Sequence, residues 1–176
     1  MKAISPVIAT VIIVAVAIAI SIAVALWITG LTSSFTGVEK LEIVNAYAVI
    51  DNDHYAQDAS NKNYTVWYII LMVKNTGTKP ATIDNIFINN KPGTITNANY
   101  STDGSTWTTI QSTGLTIQPG DEYYIKFYIR SSTTTDYTGK TKVDTIITDS
   151  FSSGQTVSIV IHTASGGQYP ATVTLP

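Results

Sequence analysis

The sequence contains no cysteine, which excludes disulfide staples, thiolate nucleophiles and cysteine-ligated zinc or iron–sulfur centres. Charge is also scarce: Asp, Glu, Lys and Arg make up 12% of the chain, about half the share typical of a soluble domain. The net charge of −2 comes with few, scattered basic residues. A phosphate backbone needs a concentrated basic footprint, so no nucleic-acid partner is expected. No G-x-S-x-G nucleophile elbow, glycine-rich phosphate loop or H-E-x-x-H pair is present. The only histidines are His54 and His162, and no pair of carboxylates stands out. No catalytic residue, cofactor or metal site is therefore expected, and the chain does not read as an enzyme.

The scarce charge is also unevenly placed. After Lys2 the next ionisable side chain is Glu39, and residues 7–28 carry only Thr10 and Ser21 as polar groups. An apolar run of about 18 residues or more is long enough to cross a bilayer as a helix. Residues 14–26 alternate large and small, a period of two that suggests a strand. The run is far longer than a strand of about 5 or 6 residues, and a lone strand in lipid leaves its backbone unpaired, so a helix is the expected state. Ser5 can cap that helix and Pro6 fits its first turn, with Gly30, Thr32-Ser33-Ser34 and Gly37 marking its far end. From residue 6 to about 35 it would be about 45 Å long at 1.5 Å per residue, longer than a bilayer core of about 30 Å.

Wound as a helix, the alternation yields two stripes of small residues: Ala15, Ala19 and Ala23, and Ala17, Ser21 and Ala25. A two-residue offset is about 200°, so the stripes lie on nearly opposite faces. Small residues at spacing four let helices approach closely; they also occur as filler in lipid-facing anchors. Ala23-Val24-Ala25 has the form of a secretory cleavage site, but the apolar run continues through Leu26-Trp27-Ile28, unlike a signal sequence with its core of about 7 to 15 residues. An uncleaved anchor and cleavage ahead of the helix are the other two fates.

Lys2-Ala3-Ile4-Ser5-Pro6-Val7-Ile8-Ala9-Thr10-Val11, followed by the Ala/Val/Ile helix, resembles the class III signal peptide and N-terminal helix of archaeal type IV pilins. The resemblance implies cleavage between Ala3 and Ile4 by a prepilin peptidase, and a helix that becomes the packed centre of a filament. The chain departs from the bacterial relatives in having no glutamate near the start of the helix. Subunit register would then come from apolar packing and from the heads.

From Glu39 onward the pattern changes to short β-rich stretches separated by turn residues, as in an all-β sandwich. Candidate strands are 41–50, 64–74, 82–88, 106–110, 115–117, 122–129, 141–148, 156–163 and 171–175, punctuated by turns such as Lys91-Pro92-Gly93 and Asp103-Gly104. Val73-Lys74-Asn75-Thr76-Gly77 and the closing segment Val160-Ile161-His162-Thr163-Ala164-Ser165-Gly166-Gly167 again resemble archaeal pilin heads, which implies an immunoglobulin-like antiparallel β-sandwich. The expected organisation is a leader at 1–3, a hydrophobic helix and linker at 4–38, and a β-sandwich head at 39–176. Ser and Thr together make 42 of the 176 residues, so hydroxyls take over much of the surface role that charge plays elsewhere.

Asn63-Tyr64-Thr65 and Asn99-Tyr100-Ser101 match the N-glycosylation pattern in what read as surface loops. Asp51-Asn52-Asp53-His54, with Asp58 beyond, gathers oxygen ligands of the kind calcium prefers, but it lacks the glycine and terminal glutamate of an EF-hand and reads as a solvated acidic turn. His162 sits in an alternating strand, where a satisfied hydrogen bond is expected. Strand aromatics such as Trp67, Tyr68, Phe127 and Tyr128 are expected in the core; those near turns, such as Trp107, suit adhesion or subunit contact.

The combined expectation is a structural subunit of an extracellular type IV pilus-like filament, held in the membrane by its helix before assembly. The resemblance implies copies of the chain, a prepilin peptidase and an assembly machinery as partners, and surface adhesion as the role. The other readings are a membrane-anchored surface module with a ligand-binding sandwich, a secreted hydrolase or carbohydrate-binding module cut after Ala25, and, within the filament class, an archaellin.

Overall fold

The computed structural model describes residues 6–35 and 37–176, and the chain divides into two compact units, Met1–Gly37 and Val38–Pro176. The first contains one helix, α1 (Pro6–Phe35), 30 residues long and apolar on every face. Its Val and Ile residues are poor helix formers in water, but where no water competes the helix is the one local structure that pairs its own backbone. Its hydroxyls follow the same rule. Thr10 donates to Val7 O at 2.9 Å, Ser21 to Ala17 O at 2.7 Å, Thr32 to Ile28 O at 2.8 Å, and Thr29 to Ala25 O. These side chains thus satisfy themselves within the helix and ask nothing of their surroundings. Pro6–Thr32 is long and apolar enough to cross a membrane, as a membrane anchor or a signal sequence is.

The second unit is built of strands: β1 (Leu41–Gln57), β2 (Asn63–Asn75), β3 (Ala81–Ile88), β4 (Lys91–Pro92), β5 (Ala98–Ser101), β6 (Thr108–Thr109), β7 (Leu115–Ile117), β8 (Glu122–Thr134), β9 (Thr141–Lys142), β10 (Ser150–Phe151), β11 (Thr156–Thr163) and β12 (Gln168–Thr174). The larger sheet has the order β6-β5-β8-β2-β1-β9, with β10 also paired to β8. The smaller has the order β12-β11-β3-β4, with β7 also paired to β3. Pairing is antiparallel except for the two-residue contacts of β9 with β1 and of β10 with β8. Alternation along the strands makes the core. Trp67, Ile69, Leu71 and Val73 of β2 and Ile125, Phe127 and Ile129 of β8 share one buried cluster with Ile83, Ile86, Ile88, Ile159 and Ile161 of the smaller sheet. Each such side chain contributes about 1.5–3 kcal/mol of burial.

Three expectations about elements need correction. Asp51–His54 is no loop: β1 runs through it, because pairing with β2 resumes at Tyr55↔Thr65 after a bulge that begins at Asp51↔Val66. The stretch 141–148 pairs as a strand only at Thr141–Lys142; beyond it, backbone bonds scatter to Tyr55 O, Tyr128 O and the amide of Thr94. In 106–110 only Thr108–Thr109 is strand, whereas β5 and β10 are too short to show an alternation by which sequence would reveal them.

One side chain ties the two sheets together. Asn75, fully buried at the end of β2, donates through Nδ2 to Ile117 O of β7 at 2.9 Å and to Lys79 O at 2.8 Å. Its Oδ1 accepts from the Gly77 amide at 2.9 Å. The turn it shapes then grips the start of the body: the Thr76 and Gly77 amides donate to Lys40 O, and those of Thr78 and Lys79 to Val38 O. Gly77 is required by this approach, since a Cβ there would fall 2.6 Å from the Lys40 amide nitrogen and against Val38 O.

Candidate functional site

The bulge in β1 builds one wall of a cleft on the outer face of the larger sheet. Asp51 is 7% exposed, and its carboxylate holds the bulge together. Oδ1 accepts from the amides of Asp53 at 2.9 Å and His54 at 3.2 Å, while Oδ2 meets His54 Nδ1 at 2.8 Å. His54 in turn lies against Tyr128, centroid to centroid 5.6 Å, and Tyr68 meets the same ring edge-on at 6.4 Å.

The floor comes from β2 and β8. Since Ile69, Phe127 and Ile129 point inward, Tyr68, Ile70, Lys126 and Tyr128 point outward. The opposite wall is the loop between β5 and β6, which brings Trp107 over Lys126: Nζ lies 4.3 Å from the indole centroid and 5.9 Å from the Tyr128 ring. The resulting cleft has a volume of about 410 Å³, within the range of ligand pockets, about 300–1,000 Å³. Burial pushes the Lys126 ammonium below its ordinary pKa, with the Asp51 charge opposing that shift, and burial likewise pushes the Tyr128 phenol up.

The wall bearing Trp107 is stiffened by a short polar knot. Asp103 Oδ1 accepts from the amides of Ser105 and Thr106, each at 2.8 Å, and from the Ser101 hydroxyl at 2.7 Å; the Gly104 amide donates to Ser101 Oγ at 2.9 Å. These bonds, the Thr106 amide first, hold the Asp103 carboxyl far below the usual carboxylate range. A depressed carboxyl pKa gives stability that is full above the ordinary value of 3.8 and is lost as the pH falls through the folded value. Asp103→Asn should therefore melt below the wild type at pH 7. Thermal melts should show the gap closing as the pH falls below 3.8, and a gap that persisted unchanged would contradict the assignment.

The other singled-out residues fall apart in space. Ala15, Ala17, Ala19, Ser21, Ala23 and Ala25 lie on α1, with side chains exposed in the isolated chain. Ala3 and Ile4 lie outside the described residues. The two glycosylation candidates belong to strands rather than loops. Asn63 opens β2 and accepts from Gln57 Nε2 at 3.3 Å, and Asn99 lies within β5 and accepts from Thr109 Oγ1 at 3.1 Å. Asp58 closes its own turn, accepting from the Ser60 and Lys62 amides. Among the described residues no group of three or more His, Cys, Asp or Glu could hold a metal ion. His162 meets Asp84 Oδ1 at 2.8 Å through Nδ1, the satisfied strand histidine its alternation suggests.

Trp67 and Phe127 do enter the main core. Tyr68 and Tyr128 do not: they belong to a second, outer cluster with Ala56, Val66 and Val143. Sequence reasoning missed the cleft, although the alternation Tyr124-Ile125-Lys126-Phe127-Tyr128 already puts Lys126 and Tyr128 on one face. The sequence matches no family model and no curated protein.

Proposed function

We propose that this chain is the structural subunit of an extracellular type IV pilus-like filament of the archaeal kind. In this reading an immunoglobulin-like head is carried on a helix that is stored in the membrane and then packed against its copies. The observation that carries the reading is α1 itself: 30 residues, apolar on every face, with the hydroxyls of Thr10, Ser21 and Thr32 bonded within the helix and small-residue stripes on two nearly opposite faces. A helix that only anchors needs no special face, and a helix dimer needs one close-approach face. A helix at the centre of a filament has neighbours on several sides and uses both. Leaving lipid for such a bundle keeps every backbone bond internal and exchanges lipid contacts for close packing.

Cleavage between Ala3 and Ile4 by a prepilin peptidase, an assembly machinery and a role in adhesion belong to the same proposal, as does glycan attachment at Asn63 or Asn99. The outer cleft favours a second reading, a membrane-anchored surface module that binds a ligand as a monomer. Electron microscopy of material sheared from cells producing the full chain separates the two. Filaments containing the chain are expected. Recovery of the chain only as detergent-soluble monomers from membranes would favour the anchored module.

A further inference from the structure

We infer that the cleft between the β1 bulge and the Trp107 loop is a binding site for a neutral saccharide, an inference that does not rest on the pilus reading. Its lining pairs aromatic surface with hydrogen-bonding groups of both kinds. Trp107 and Tyr68, both part-exposed, offer aromatic surface, whose negative quadrupole attracts the polarised C–H bonds on the apolar side of a pyranose. Lys126 offers donors and has no hydrogen bond or ion pair of its own among the described residues. Asp53, exposed at the rim, offers acceptors, while the Asp51 contact engages His54 through Nδ1 and leaves Nε2 for a ligand. A ligand that both donates and accepts at many closely spaced points, with an apolar face, matches this set, and a polyhydroxylated ring is such a ligand.

The charges choose among saccharides. The lining carries the carboxylates of Asp51 and Asp53 against the single ammonium of Lys126. A uronate, a phosphate or an acidic peptide meets net repulsion, and a cation meets Lys126 at the floor. A neutral sugar pays neither cost. The wall is also preformed, because the Asp103 knot fixes the loop that carries Trp107 before any ligand arrives, which reduces the ordering cost of binding.

The test uses the full chain in micelles of lauryldimethylamine oxide, a detergent without a sugar headgroup. Saturation-transfer NMR and titration are run against neutral oligosaccharides of glucose, mannose, galactose and N-acetylhexosamine, with trigalacturonate and hexaglutamate as anionic controls. At least one neutral oligosaccharide is expected to bind in the millimolar range or tighter, and neither anionic control to compete. Trp107→Ala should weaken that binding about tenfold or more. Lys126→Met, which keeps the stem beside Trp107 but removes the donors, should weaken it about fivefold. The methionine variant should melt no lower than the wild type, since it relieves a half-buried charge. The inference is overturned if no neutral sugar binds, if both variants bind as the wild type does, or if only trigalacturonate or hexaglutamate binds. Filament formation plays no part in the assay, so its failure and the failure of the pilus reading are separate results.

Discussion

Asn75→Ala is expected to cost the head about 2–4 kcal/mol, a large part of the 5–15 kcal/mol that holds a typical domain. The substitution removes no great volume. It strands the groups that the amide serves: Ile117 O in the other sheet, Lys79 O, and the Gly77 amide. Each buried group left without a partner costs about 1–3 kcal/mol, and only the Ile117 contact is wholly sealed from water, which keeps the sum below three full penalties. The loss should spread beyond the side chain, because the turn at 76–79 also holds Val38 and Lys40. Asn75→Asp keeps an acceptor for Gly77 but turns a donor into a buried charge facing two carbonyls, so it should be at least as damaging at pH 7 and should recover partly on acidification. Urea titration of the full chain in micelles measures both. A loss under about 1 kcal/mol for the alanine variant, the value of an ordinary hydrogen bond, would show that Asn75 does not join the sheets as described.

The second large effect concerns the helix. Ala19→Leu and Ser21→Leu each place a branched side chain on one of the two stripes, and overpacking a close helix contact costs about 1–3 kcal/mol. In a polymer that cost recurs at every subunit, and each 1.4 kcal/mol is about tenfold in an association constant. Both variants should therefore insert in membranes at wild-type levels, since leucine is no less apolar, yet yield about tenfold less sheared filament or none. Loss in only one of them would indicate a helix pair with a single contact face. Normal filaments in both would mean that the alanines merely fill a lipid-facing surface.

These two sites also mark what could be read from sequence. The helix was legible because its signals agree: no charge between Lys2 and Glu39, an unbroken apolar run, and a proline placed where a helix tolerates one. Among the described residues the helix covers Pro6–Phe35, the range those signals mark. The β-rich body was legible from alternation and turns: β2, β3 and β11 came out close to their observed limits, whereas β1 and β8 run on to Gln57 and Thr134, past the expected ends at 50 and 129. The β1 bulge was not, because Asp51-Asn52-Asp53 carries the same turn-forming residues whether a chain reverses there or only kinks. The difference lies in Asp51, whose carboxylate takes up the amides of Asp53 and His54 and lets pairing resume at Tyr55.

The cleft was hidden for a related reason. Asp51, Tyr68, Trp107 and Lys126 are far apart in sequence and meet only through the adjacency of β1, β2 and β8 and the fold of the β5–β6 loop. Asn75 was visible within a turn phrase, but its contact with Ile117 depends on how the two sheets meet, which no local pattern encodes.

The central claim, a helix that leaves lipid to join its copies after its leader is removed, meets its most direct test in N-terminal sequencing of filaments sheared from the cell surface. The account predicts Ile4 as the first residue of the chain in the filamentous fraction. Recovery of the chain only in membranes, with Met1 retained, would contradict it.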